Sequence, residues 1–267
     1  MSQSPLLRAC MTALTVGILL GLLRRAGPRT GGLAAALPMT SVPALAWACA
    51  DQGPNFAAAA AAAALLTTAT TGVFAMLYAH AAARLAPVRA LVVATLPAAL
   101  LAVLATAAGS GLAVAVIGSL GVLLGCRWLM PMAPVASGSA TAARGSSLLM
   151  TATVAGVCSA LIGSIAPSVP ALLCGAVAAI PVIGMTTTVS VHVRGGPTMA
   201  VRFLHGYLHG LWAKVAFLAL LAGLLPHWPP AVAWAAAAAS GVAVVLSPDL
   251  RRLAARVPPL LGHRQWI

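Results

Sequence analysis

The stretch GGLAAALPMTSVPALAWACADQGP, residues 31–54, decides the fold, because it is an apolar run of membrane-spanning length with prolines near its middle. About 20 apolar residues are enough for a helix to cross a bilayer. A proline inside such a helix removes one backbone donor and frees a carbonyl, which must be paired within the protein or with water. Pro38 and Pro43 therefore predict a broken membrane helix over 32–50.

The rest of the chain has the same apolar character. Of its 267 residues, 61% are hydrophobic and 6% are charged, and the mean hydropathy is +1.03. Soluble domains are about a quarter charged, whereas repeated long apolar runs are typical of polytopic α-helical membrane proteins. We predict an all-α membrane protein of about nine transmembrane helices, over residues 5–23, 32–50, 57–82, 88–107, 110–130, 148–166, 171–193, 199–224 and 231–247.

The arginines orient these helices. With the N-terminus outside, the inner connections and the C-terminal tail carry arginines, whereas the connections around 51–56, 108–110, 166–170 and 225–230 carry none. Positive side chains accumulate on the cytoplasmic side of membrane proteins. We therefore predict an N-out, C-in, multi-pass protein of the inner (plasma) membrane. Because this rule explains the net charge of +13, we expect the lipid bilayer as partner and no nucleic acid.

The two halves of the chain share a pattern of glycines and prolines. A shift of 143 positions superimposes Gly32 on Gly175, Pro38 on Pro181, and Gly53-Pro54 on Gly196-Pro197. Helices one to four then overlie helices six to nine, with the fifth helix between them. Because five helices separate the two starts, the halves have opposite orientations, which is the inverted-topology repeat of many secondary transporters. The alternative is a coincidence of shared helix-end residues.

The chain divides accordingly into four parts. Residues 1–130 form the first repeat half with the linking fifth helix, and 131–147 form a cytoplasmic loop. Residues 148–247 form the second half. Residues 248–267 form a basic cytoplasmic tail, which we expect to carry a short amphipathic helix on the lipid surface.

Matched helix breaks are the best sequence indication of a transporter's binding site. Pro38 and Pro43 break the second helix, and Pro181 and Gly184 break the seventh. Hydroxyl side chains lie close to both breaks, and we predict that they contact a solute: Thr40, Ser41, Thr186 and Thr187. A simple proline kink is the alternative for each break taken alone.

The stretch VRFLHGYLHGLWAK, residues 201–214, adds the polar groups of the eighth helix. Lys214, the only lysine of the chain, falls near the middle of the membrane. An ammonium at that depth costs at least a few kcal/mol and should face the bundle interior or a wet cavity. We predict that Lys214 binds the solute; its alternative role is to donate hydrogen bonds to carbonyls freed at the breaks.

His205 and His209 lie four residues apart, next to the glycine pair Gly206 and Gly210. Such a G-x-x-x-G pair lets another helix approach closely, so the histidines either support that packing or contact the solute and relay protons. Their spacing also suits a metal, but no third ligand is placed to join them. We expect neither a metal nor a cofactor.

Missing residue types exclude several functions. The chain has two acidic residues, Asp51 and Asp249, and no glutamate. Paired-carboxylate catalysis and aspartate-supported triads lack their parts, and no nucleotide-binding loop is present. We therefore predict a non-enzymatic secondary transporter or exporter of a small, anionic or polar organic solute, with proton coupling through the histidines. The alternative is a non-transporting membrane subunit or scaffold, as a homo-oligomer or with a partner subunit, that binds partner helices.

Overall fold

The structure, a computed structural model of the chain, describes residues 28–38, 41–109, 111–132, 168–178 and 180–247, with isolated positions at 7, 10, 11, 13, 14, 153 and 157. Over the five continuous ranges the chain forms eight α-helices and no strand. The helices are α1 (Pro28–Ala36), α2 (Ser41–Gln52), α3 (Pro54–Ala82), α4 (Pro87–Ala107), α5 (Leu112–Leu129), α6 (Ala171–Ala178), α7 (Val182–Leu224) and α8 (Pro230–Leu246).

Four helical stretches are long and apolar enough to cross a membrane: Pro54–Ala82, Pro87–Ala107, Leu112–Leu129 and Ala171–Leu224. The last of these contains α6 and α7, and α8 is a shorter apolar helix. The outer faces of α4 and α5 expose large apolar side chains, among them Leu96, Leu100, Val103, Val114 and Ile117. Faces of this kind suit lipid rather than water. The regular structure of the described ranges is helical and compatible with a membrane protein, as the composition predicts.

The predicted spans 57–82, 88–107 and 110–130 coincide with α3, α4 and α5. The predicted helices over 5–23 and 148–166 lie outside the described residues, apart from isolated positions. The cytoplasmic loop, beyond its first two residues, and the tail from 248 also lie outside them. The count of nine helices therefore stays a prediction.

Both predicted spans that carry matched prolines are interrupted. α1 ends at Ala36 and α2 begins at Ser41, whereas α6 ends at Ala178 and α7 begins at Val182. We call residues 37–40 the first break and 179–181 the second break. The proline carbonyl of each break is paired at once: Val42 N donates to Pro38 O at 2.8 Å, and Met185 N donates to Pro181 O at 2.8 Å.

Two of the four predicted break residues lie inside helices. Pro43 is the third residue of α2 and lies in its first turn, where a proline is tolerated. Gly184 lies within α7. A side chain at Gly184 would overlap the ring of Tyr207, so this glycine serves close packing. The interruptions themselves are at Pro38 and Pro181.

A glycine with positive φ follows each broken span. Gly53 (φ 90°) separates α2 from α3, and Gly196 (φ 74°) divides α7 into a first segment, 182–195, and a second segment, 197–224. A residue with a side chain rarely adopts these angles. The next residue in each case is a proline, Pro54 or Pro197, which suits the first turn of a helix.

α5 fixes the relative directions of the two long helices. Along α5, Ser119 Oγ donates to Leu65 O of α3 at 2.9 Å, and Leu123 contacts Gly72, so α5 and α3 run the same way. In contrast, Leu112 at the start of α5 contacts Gly223. Pro131 O, just after α5, pairs with His205 Nε2 at 2.8 Å. α5 therefore runs opposite to the second segment of α7, and so does α3.

Each short helix before a break packs closely on a long helix of the other half. A methyl group added at Gly32 in α1 would overlap the backbone of Phe203 in the second segment of α7. One added at Gly175 in α6 would overlap the backbone of Ala60 in α3. Only glycine allows backbones to approach this far.

Adjacent glycines in α1 give a matched test of this packing. We expect Gly32→Ala to destabilise the protein by about 1–3 kcal/mol, because α1 must move away from Phe203. Gly31→Ala, with open space around the added methyl, should be neutral or stabilising by up to about 1 kcal/mol. Thermal unfolding of both purified variants measures the difference. Equal stability of the two variants would contradict this packing.

Candidate functional site

The two helix breaks are held together by a hydrogen bond. Ser41 Oγ, at the start of α2, donates to Ala178 O, at the end of α6, at 3.1 Å. Ala44 and Ala48 of α2 pack with Cys174 and Ala178 of α6 in one small apolar cluster. The two helices therefore run in opposite directions, with the N-terminal end of α2 beside the C-terminal end of α6. Their partial charges have opposite sign and compensate each other.

α1 lies along the second segment of α7 and leads to the first break. Gly32 faces Phe203 and Tyr207, while Gly210 faces Leu33 and Ala36. The order of these contacts shows that the two helices run in the same direction. α1 therefore ends level with Gly210.

Lys214 lies one turn beyond Gly210 on the same side of the helix. Four residues of α-helix advance by about 6 Å and rotate by about 40°. Lys214 therefore lies about 6 Å further along the helix axis than the level at which α1 ends. The lysine is 5% exposed, and the second segment continues for about 15 Å beyond it to Leu224. It is therefore an interior residue of a long apolar helix.

The lysine has no counter-charge within the part of the chain that the structure describes. Asp51 is exposed at the far end of α2, and Asp249 lies outside the described residues. Within the described ranges, Lys214 makes neither a hydrogen bond nor an ion pair. A buried ammonium without a partner is costly and is rarely kept without a role.

The residue at the predicted repeat position of Lys214 is neutral. Thr71 of α3 lies 143 positions before Lys214. Four threonines of this helix are buried, and each donates to a carbonyl of the same helix: Thr67, Thr68, Thr70 and Thr71. The second segment of α7 thus carries a charged side chain near its centre. In contrast, α3 carries hydroxyl groups that already donate hydrogen bonds to carbonyls of their own helix.

The structure separates the predicted histidines from the lysine. Around the helix axis, His209 is about 140° and His205 about 180° from Lys214. His205 Nε2 pairs with Pro131 O, beside the end of α5. Gly206 is buried, and Gly210 packs on α1 of the same chain. The histidines and Lys214 therefore do not form one cluster.

The predicted hydroxyl residues differ in their hydrogen bonds: some bond to another helix and some bond within their own helix. Ser41 joins the two breaks, whereas Thr40 lies outside the described residues. Thr186 donates to Val182 O at 2.8 Å within α7, and Thr187 is half-buried in the same turn. Thr188, fully buried, donates to Gly184 O at 2.6 Å. Of the predicted hydroxyl residues that the structure describes, Ser41 alone is seen to connect two helices through its hydroxyl.

One buried polar pair was not predicted from the sequence. Tyr78 of α3 and His192 of the first segment of α7 are buried, and Tyr78 Oη lies 3.1 Å from His192 Nδ1. The rings meet edge to face. The partners are 114 positions apart, and neither belongs to a local motif. Only the packing of α7 on α3 brings them together.

Known proteins offer no direct guide to the site. No protein-family model matches the chain, and neither curated proteins nor solved structures include a match. Among the described residues, no group of three or more histidine, cysteine or acidic side chains is placed to hold a metal ion. The helix breaks and Lys214 are therefore the features that indicate a function.

A substitution of Lys214 separates a ligand-binding role from a structural one. We expect Lys214→Met to leave the ligand-free protein as stable as the parent, or more stable by about 1–3 kcal/mol, because it removes an unpaired buried charge. Leu211→Met, one turn earlier and also buried, is the control for introducing methionine there. Thermal unfolding in detergent measures both. A clear loss of stability in Lys214→Met alone would show that the ammonium holds the structure together.

Proposed function

We propose that this chain is a secondary transporter or exporter of the inner membrane that carries a small anionic or polar organic solute. The observation that carries the proposal is a buried lysine, without a counter-ion among the described residues, about one helical turn beyond the end of α1. The break that follows α1 joins the other break through Ser41 Oγ and Ala178 O. Half-helix ends and polar groups near mid-membrane are where secondary transporters bind their solutes.

We further propose that the two halves are inverted-topology repeats with an N-out, C-in orientation. Contacts between the halves recur after a shift of 143 positions: Gly32 packs on Phe203, and Gly175 packs on Ala60. Such an exchange of partners is typical of two units related by a two-fold axis. The opposite directions of α3 and the second segment of α7 support inversion.

Other features recur at the same shift. The breaks follow α1 and α6, the positive-φ glycines are Gly53 and Gly196, and the helices after the long ones begin at Pro87 and Pro230. α4 buries Ala90, Ala94 and Ala98, and α8 buries Ala233, Ala237 and Gly241, in the same register. The matched breaks and positive-φ glycines are backbone features and do not depend on the sequence's alanine content.

The two surfaces on which the scaffold alternative depends have contacts within the chain. Gly210 of the glycine pair of α7 lies against Leu33 and Ala36 of α1. In the alanine run of α3, Ala60 lies against Gly175 of α6. These contacts favour the transporter over a scaffold that binds partner helices on the same surfaces.

Opposite orientation of the repeats predicts opposite accessibility of two matched positions. Asp51 and Arg194 are 143 positions apart, and both are exposed. In a background without native cysteines, we expect Asp51→Cys to react with a membrane-impermeant maleimide from outside and Arg194→Cys only from inside. Ile117→Cys, on the lipid-facing side of α5, should react from neither side. Labelling of both positions from one side would contradict the inverted repeat.

Transport itself requires a solute, which ligand stabilisation can identify. Purified protein is heated with organic anions, amino acids and sugars, and a compound that stabilises it is tested for counterflow in proteoliposomes. We expect Lys214→Met to abolish counterflow and Lys214→Arg to retain part of it. The control, His205→Ala with His209→Ala, tests coupling separately. The proposal fails if both the methionine variant and the double histidine variant transport like the parent.

A further inference from the structure

The described charged side chains, other than Lys214, lie towards the ends of the helices. Asp51 closes α2, Arg89 opens α4, and Arg127 closes α5. In α7, Arg194 and Arg202 lie on either side of the break at Gly196. Lys214 alone is placed along the middle of a long helix, so the described part of the interior carries one positive charge.

Helix ends add little to this charge. At the meeting point of the breaks, the N-terminal end of α2 contacts the C-terminal end of α6 through Ser41 and Ala178. These ends carry opposite partial charges of about half a unit each, which compensate. The C-terminal end of α1, about one turn from Lys214 along the axis, carries a partial negative charge, which does not cancel a full positive charge.

We propose that the site beside Lys214 binds a single monovalent anion, which completes the charge balance of the interior; this inference rests on the transport function proposed above. A monoanion brings the buried net charge to zero, whereas a dianion leaves one uncompensated negative charge. A neutral solute leaves the ammonium unpaired. The charge count therefore selects monocarboxylates or halides over dicarboxylates and amides.

Thr71 of α3 lies 143 positions before Lys214 and is neutral. A substitution there can change the number of buried positive charges. A Cβ added at Gly72 would lie 3.6 Å from Leu208 Cδ1, and the two long helices run in opposite directions. Thr71 is therefore level with residue 209, and Lys214 is about 8 Å further along the axis. Thr71 is buried, and its hydroxyl donates only to its own helix at Thr67 O. A second ammonium at Thr71 would raise the interior charge to two.

The test measures ligand preference by thermal stabilisation of the purified full-length protein. The probes are acetate, lactate and benzoate, their amides, succinate and malonate, and chloride. We expect at least one monoanion to bind about tenfold more tightly than its amide and than the dicarboxylates. Lys214→Arg should keep that preference and Lys214→Met should lose it. Chloride separates an inorganic from an organic anion.

The variant Thr71→Lys tests the same charge balance with a second buried positive charge. We expect this variant to favour a dicarboxylate over the monocarboxylates, reversing the preference of the parent. Since a buried lysine can impair folding, Lys214→Arg and Lys214→Met provide the second, independent comparison. A parent protein that binds amides or dicarboxylates as tightly as monoanions overturns the inference, and so does the absence of any stabilisation by the monoanions.

Failure of this inference is distinguishable from failure of the transport proposal. If a neutral solute is transported with the same rate by Lys214→Met, transport stands and the charge inference falls. If a monoanion binds through Lys214 but does not cross the membrane of proteoliposomes, the charge inference stands and transport falls. Both measurements use the same purified protein.

Discussion

Backbone groups that leave a helix within the hydrocarbon region must find partners inside the protein. In each of the two predicted spans that contain a break, the carbonyl of the break proline is paired, Pro38 O with Val42 N and Pro181 O with Met185 N. The helices α2 and α6 then join through Ser41 Oγ and Ala178 O. Lys214 lies about one helical turn beyond the end of α1, the helix that leads to the first break.

Small residues make this assembly compatible with closely packed helices. In lipid, helices associate through packing rather than through the hydrophobic effect, and small side chains allow the backbones to approach. Gly32, Gly175 and the alanine run of α3 supply such surfaces, and their contacts place α1 and α6 on the long helices of the opposite halves. The alanine surface of α3 and the surface of α7 that carries polar side chains thus have different roles. The first supports a short helix, and the second also presents Lys214.

The sequence predicted an all-helical chain with interruptions at Pro38 and Pro181, but not the contacts between its helices. Proline acts on its own backbone, a local effect that the sequence reveals. Pro43 lies in the first turn of α2, where a proline is tolerated. The Ser41–Ala178 and Tyr78–His192 contacts span 137 and 114 positions, and no local pattern encodes them. Because the sequence has two acidic residues, it offers few counter-ions for Lys214.

The central claim is that the ammonium of Lys214 meets its counter-charge in a bound anion. Because Lys214 is the only lysine, labelling with ¹⁵Nζ-lysine gives a single side-chain NMR signal from the purified protein. We predict that this signal moves in a saturable way when a stabilising monocarboxylate is added and does not move with its amide. A signal that is the same with and without the anion, at concentrations that stabilise the protein, would contradict the account and assign Lys214 a purely structural role.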